Sequence, residues 1–227
     1  MKKYDHLLTQ TRLFQGIGEQ EIGPMLECLQ FSCKKFEKGE TVYRREEQIQ
    51  EVALLLEGRI HIRKEDYWGN LSILREISLG EVFGEVYACL GSEMHHDAVA
   101  IQPSTVLFLN TNRILTVCTS ACQFHTRLIR NLLSVIASKN LFLTQKLEHM
   151  SQRSTREKLL SYLSEQAQRA GKESFDIPFN RQQLADFLAV DRSAMSNELS
   201  KMRKEGILEF ERNHFLLKNP LDSDLTS

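Results

Sequence analysis

Residues 180–202, NRQQLADFLAVDRSAMSNELSKM, constrain this chain more than any other stretch. They read as two short helices around a tight turn. In the first, Asn180 serves as N-cap and Leu184, Ala185 and Leu188 share an apolar face. In the second, Asp191 is a good N-cap, and Met195, Leu199 and Met202 recur at i, i+4 and i+7. At about 100° per residue, Ser193, Asn197, Ser200 and Lys204 then fall on the opposite edge. Arg192 sits at the N-terminal end, where a helix entering the major groove meets base edges. The segment therefore predicts a helix-turn-helix and sequence-specific binding of double-stranded DNA.

The rest of the composition agrees with an ordinary globular chain. At 227 residues, 41% hydrophobic and 26% charged, it has enough material for two modest cores. No apolar run approaches the roughly 18 residues of a membrane span, and the first residues lack an apolar signal-type stretch. A cytoplasmic location without membrane association is expected. The net charge of -1 announces no polyanion partner, but residues 150–220 hold 12 Lys/Arg against 10 Asp/Glu.

Between Phe31 and Leu109, short β-rich segments alternate with turn signals. Thr41–Tyr43, Val52–Leu56, Arg59–Arg63, Ser72–Arg75 and Thr105–Leu109 are the clearest, punctuated by Gly39, Gly58, Gly69-Asn70 and Gly80. That spacing suggests a sandwich or rolled sheet. A helix over Glu19–Cys28 precedes it. From Phe124 to Met150 the pattern becomes one long helix. Ile129, Leu133, Ile136, Asn140, Leu143, Leu147 and Met150 trace a heptad seam with one Asn, a device that fixes register and partner number in a homodimer. Leu132 and Leu141, off the seam, are placed against the β domain. The bland alternative is a helix buried within its own chain. A polar junction at 150–155 suggests a hinge, followed by a helix from about Ser154 to Ala170 that Gly171 stops. Beyond the helix-turn-helix, Ile207–Phe210 and His214–Leu217 are expected to form a two-stranded wing around Arg212-Asn213.

This order (β-roll, long helix, hinge, winged helix-turn-helix) resembles the cyclic-AMP receptor/fumarate-nitrate regulator, or Crp/Fnr, superfamily, and its effector-unassigned members in particular. Phe83-Gly-Glu-Val, the 124–150 helix and Asn180–Met202 carry the resemblance, which covers almost the whole chain. The implied fold is α+β. Its domains are a cyclic-nucleotide-binding-like effector domain over 1–123, a dimerisation helix over 124–150, a DNA-binding domain over 151–220 and a tail over 221–227. The resemblance also implies a dimeric transcription regulator, no enzyme, acting on a palindromic operator with RNA polymerase as a further partner.

In this family a Gly-Glu pair opens a short helix whose Glu takes the ribose of a cyclic nucleotide, and a downstream Arg-Ser pair binds the phosphate. Gly84 and Glu85, with Val86 and Tyr87, match the first half. His95-His96 stand at the Arg-Ser positions, followed by Asp97. A neutral imidazole is a poor substitute for a bidentate guanidinium, so an unknown small-molecule effector other than cyclic AMP is expected. Titration of His95 or His96 near neutrality is a second use of the pair, and a surface loop that binds nothing is the third. Asn140 lies where family members complete the pocket with the long helix. The base-reading positions fall on Arg192, Ser193 and Asn197, with Ser196 adjoining. Ser193 and Asn197 depart from the family's residues, so its usual half-site does not carry over. Arg181, Gln182, Lys201 and Lys204 are expected phosphate contacts.

Five scattered cysteines do not suggest a disulfide framework. Cys118, Cys122 and His125 share the i, i+4, i+7 spacing that gathers soft ligands, which gives an alternative reading as a redox- or metal-responsive regulator. The plainer reading makes them small buried residues where sheet meets helix. No certain cofactor is implied. No Ser-His-Asp order, glycine-rich phosphate loop or paired catalytic carboxylates stand out, so catalysis is not expected.

Overall fold

The structure, a computed structural model, describes residues 2–65, 67–69, 71–116 and 123–218. It divides into two compact units, Met1–Lys139 and Asn140–Ser227. The first opens with α1 (Asp5–Gln10) and α2 (Glu19–Cys28). Strands β1 (Ser32–Phe36), β2 (Thr41–Tyr43), β3 (Glu51–Glu57), β4 (Ile60–Glu65), β5 (Leu71–Ile77) and β6 (Val82–Phe83) lead to α3 (Glu85–Leu90). Then come β7 (Asp97–Ala100), β8 (Ser104–Asn110), α4 (Thr111–Leu115) and α5 (Gln123–Met150), whose later residues belong to the second unit. The strands form two four-stranded sheets, ordered β1-β8-β3-β6 and β2-β7-β4-β5, with antiparallel pairing throughout.

Period-2 geometry explains why β3 reads as an unbroken apolar run. Successive side chains point to opposite faces. Val52, Leu54 and Leu56 enter a core shared with the helices, while Ala53 and Leu55 enter a second core closed by Tyr43, Phe83 and Phe108. β8 divides its residues the same way, Leu107 and Leu109 to the first core and Val106 and Phe108 to the second. Both faces of these central strands are covered, as continuous hydrophobicity requires.

The long helix spends its apolar residues on two faces. Leu128, Leu132 and Val135, at i, i+4 and i+7, join the first core, fully or almost fully buried. Asn131 secures the same stretch by donating to the Leu13 and Gln15 carbonyls, both at 2.9 Å. Of the expected seam, Ile129 and Ile136 pack partly against this core, whereas Leu133, Leu143 and Leu147 are 56–65% exposed. The seam therefore overlaps the intramolecular face at its N-terminal half. Leu132 packs on the β domain as expected. Leu141 corrects that expectation, being exposed.

In the second unit, the end of α5 is followed by α6 (Thr155–Ala170), β9 (Ser174–Asp176), α7 (Arg181–Leu188), α8 (Arg192–Lys204), β10 (Leu208–Glu211) and β11 (His214–Leu217). Ser154 and Glu157 form a capping box at the start of α6: Ser154 Oγ accepts from the Glu157 N–H, and Glu157 Oε2 from the Ser154 N–H. The wing is the antiparallel pair β10–β11, widened by β9 into a sheet ordered β10-β11-β9. Leu184, Ala185, Leu188, Met195, Leu199 and Met202 are wholly buried against Leu159, Leu163, Leu208 and Phe215. Among the described residues, no helix is long and apolar enough to cross a membrane.

Candidate functional site

Two sites follow from these units. In the second, local chemistry fixes the helix pair. Asn180 Oδ1 accepts from the Gln183 N–H while Gln183 Oε1 accepts from the Asn180 N–H, both at 2.9 Å, which starts α7. The turn passes through Ala189 in the left-handed region (φ 50°), and Asp191 Oδ1 accepts from the Ala194 N–H at 2.7 Å to start α8. With Met195, Leu199 and Met202 holding one edge, Arg192, Ser193 and Asn197 are exposed on the other. Ser196 is half-buried and returns its hydroxyl proton to the Arg192 carbonyl at 2.9 Å. The last turn of α8 carries Lys201, Arg203 and Lys204.

The four residues assigned to the DNA backbone are not equivalent. Gln182 and Lys204 are exposed, although Gln182 also donates to Asp186 at 2.8 Å. Lys201 lies 3.7 Å from Glu198. Arg181 stacks over Phe210 and Phe215, 4.7 and 5.0 Å from the ring centroids, and burial lowers its pKa. Its guanidinium therefore ties α7 to the wing sheet. A basic residue of the wing turn joins this face: Arg212, with φ 53°, shares a concavity of about 700 Å³ with Arg181, Gln182 and Arg192. The sequence reading placed Arg212 in the turn of the wing without assigning it to this face.

In the first unit, Gly84 caps α3 with φ 74°, and a Cβ there would lie 2.9 Å from the Tyr43 ring. Only glycine fits both the backbone and the space. The turn delivers Glu85 to a position only 4% exposed. Gly84, Glu85, Val86, Tyr87 and His96 line one cavity of about 150 Å³ together with Ile62, Ile77 and Met94. His95 is exposed, its ring 5.4 Å from Tyr87 and 6.3 Å from His96. Of the residues named from the sequence, Gly84, Glu85, Val86, Tyr87 and His96 converge here, whereas His95 and Asn140 are not among the cavity's walls. Asn140 is exposed and opens the second unit.

A residue missed in the sequence dominates the cavity. Lys139 Nζ donates to Glu85 Oε1 at 2.7 Å and to the Val82 carbonyl at 2.7 Å. Its position is set by helix periodicity, since 128, 132, 135 and 139 fall on one face of α5. Burial lowers the Lys139 pKa, and the Glu85 carboxylate opposes that shift. The signal available in the sequence was a lysine on an apolar stripe; its partner lies 54 residues away. His96 also has a lowered pKa, chiefly through burial and then through His95, Lys64 and Arg45. Asp97 works weakly in the other direction and accepts the Arg45 N–H at 2.8 Å. His96 is accordingly held neutral at pH 7, unlike a phosphate-binding guanidinium.

Cys118 and Cys122 lie outside the described residues; His125 is described and buried. Among the described residues, no three His, Cys, Asp or Glu side chains gather as metal ligands.

Two family models match the chain: a cyclic nucleotide-binding domain over residues 33–121 and a Crp-like helix-turn-helix domain over 157–221. No curated protein matches. Among solved structures, CprK complexed with OCPA is 17% identical with a TM-score of 0.58, covering 90% of this chain and 93% of that one. A CooA mutant from Carboxydothermus hydrogenoformans is 19% identical, with a TM-score of 0.57 and coverage of 97% and 98%. A cyclic nucleotide-binding domain from Methylobacillus flagellatus is 12% identical, with a TM-score of 0.56 over 67% of this chain and 87% of that one. At these identities the likeness is one of fold.

Proposed function

The chain belongs to the Crp/Fnr superfamily of transcription regulators, which are non-enzymatic DNA-binding proteins, and on that premise we propose a homodimeric regulator switched by a small molecule other than cyclic AMP. Residues 1–123 sense, 124–150 dimerise and 151–220 read a palindromic operator. The observation that carries the reading is the divided second helix: Met195, Leu199 and Met202 are wholly buried, and Arg192, Ser193 and Asn197 are exposed opposite them. Arg192 can donate to a guanine or a phosphate, and Asn197 can pair bidentately with an adenine. Gln182 and Lys204, with Arg212, supply sequence-independent phosphate contacts. RNA polymerase is the further partner of such a regulator.

The effector assignment rests on the first unit. A cyclic nucleotide needs the Glu85 carboxylate for its ribose and a cation for its phosphate. Glu85 is engaged by the chain's own Lys139, and the phosphate position carries His95-His96. Both features disfavour cyclic AMP. The exposed Leu133, Leu143 and Leu147 support a dimer seam along α5, with Asn140 as its register residue. An effector would act by binding better to the form whose two reading heads suit DNA.

Selection of duplexes from a random pool, with and without a metabolite extract, tests this proposal. A palindrome enriched only with extract supports effector gating. Enrichment without extract removes the gating and leaves the DNA-reading function. The alternative, a redox- or metal-responsive regulator acting through Cys118, Cys122 and His125, predicts bound metal or oxidant-dependent enrichment instead.

A further inference from the structure

Arg75 and Lys139 line two openings in the first unit. One is the cavity of about 150 Å³ around Glu85; the other is a groove of about 510 Å³ bordered by α1, the turn before β6, and α5. Small-molecule sites span about 300–1,000 Å³. The groove meets that size, and the cavity at the nucleotide position does not.

The groove's charges do not cancel. Arg75 pairs with Glu81 at 3.1 Å and Lys139 with Glu85 at 2.7 Å. Arg12, the third cation lining the groove, pairs with no carboxylate among the described residues. One positive charge is left over. Lysine offers three N–H donors and no acceptor. Lys139 commits one to Glu85 and one to the Val82 carbonyl, and among the described residues no acceptor takes the third. The remaining walls include Leu7, Leu79 and Val135, with Leu79 left 55% exposed. An apolar wall beside a single unmatched positive charge suits an amphipathic monoanion.

We propose that this groove is a second small-molecule site for an amphipathic monocarboxylate. The carboxylate accepts from the third Lys139 N–H and from the Arg12 guanidinium, and the aliphatic body lies along Leu7, Leu79 and Val135. A dianion is matched less well, because Glu81 lines the groove and faces any second negative charge. The inference rests on the reading of the first unit as a sensing domain. Because Lys139 is the last residue of that unit and is bonded to Glu85, a ligand here acts directly on the α5 position where the chain passes into the second unit.

Decanoate, decanol and decylamine, each below its micellar concentration, are titrated calorimetrically into the full-length protein. Decanoate is expected to bind once per chain, with decanol and decylamine at least about tenfold weaker, the factor that one charged contact supplies. Arg12 and Leu79 are exposed, so Arg12→Gln and Leu79→Asp keep the fold, and each is expected to weaken decanoate about tenfold. Decanol binding as tightly as decanoate overturns the site, as does an Arg12→Gln variant with undiminished affinity. Absence of binding by octanoate, decanoate and dodecanoate alike also overturns it. Duplex selection with decanoate present reads the regulator separately: decanoate bound without any DNA enrichment refutes the DNA-reading function and leaves the groove site standing.

Discussion

Replacing Lys139 by Met isolates the pair that closes the nucleotide position. Glu85 is 4% exposed and its side chain 6%, so the variant leaves a carboxylate with almost no water and no countercharge. Breaking a buried pair from one side costs about 3–5 kcal/mol. The Lys139 side chain retains 26% exposure, which places this case at the lower end, about 3 kcal/mol. In a unit of this size, about 3 kcal/mol corresponds to roughly 10 °C in the unfolding midpoint. Adding Glu85→Gln removes the stranded charge, so the double variant recovers much of the loss at pH 7. Urea denaturation followed by circular dichroism at pH 7 measures all three proteins. A Lys139→Met variant within about 0.5 kcal/mol of the parent would refute the reasoning, since that is the range of an ordinary surface change.

Five further variants have expected outcomes. Leu199→Ala, at a wholly buried position, should cost about 2–5 kcal/mol and melt the helix-turn-helix unit first, read by calorimetry. Arg192→Ala should relax base preference at one position of the selected site at a cost of about 1–3 kcal/mol, whereas Lys204→Ala should weaken all sequences alike and reduce the salt slope by about one. The folded pKa of His96 lies below its ordinary value, so its contribution to stability is present above about pH 6.5 and lost as pH falls through the lowered value. His96→Gln should flatten that acid-side decline in a pH series of melting curves. Asn140→Leu should tighten self-association in sedimentation equilibrium and blunt the effector response, and an unchanged response would remove Asn140 from the switch.

What the sequence disclosed and what it hid divide along the range of the interactions. The helix pair from 180 to 202 was readable because caps and 3.6-residue periodicity operate within a few positions. Asp191 and Asn180 cap as expected, and the three predicted apolar residues of α8 are wholly buried. The apolar strands β3 and β8 stood out for the same reason. β1 did not: Ser32-Cys-Lys-Lys-Phe alternates poorly and becomes a strand by pairing with β8, Ser32 against Phe108. β9 was missed likewise, because its partner β11 lies some forty residues on, with Phe175 against Phe215. On α5 the sequence reading found the exposed leucines and placed Leu132 against the β domain, but not Leu128 and Val135, which complete that stripe and whose partners come from β3, β8 and the first helices. The Gly84-Glu85 turn was legible as a motif. Its engagement by Lys139 was not, since no local pattern announces an ion pair spanning 54 residues.

The central claim is that two copies of α8 read DNA on one face of the duplex. Hydroxyl-radical footprinting on the selected duplex, with Arg192→Ala as control, tests it most directly. The account predicts two protected patches about 34 Å apart, one helical turn centre to centre, both fading together in the variant. A single patch, or protection that persists unchanged in Arg192→Ala, would contradict it.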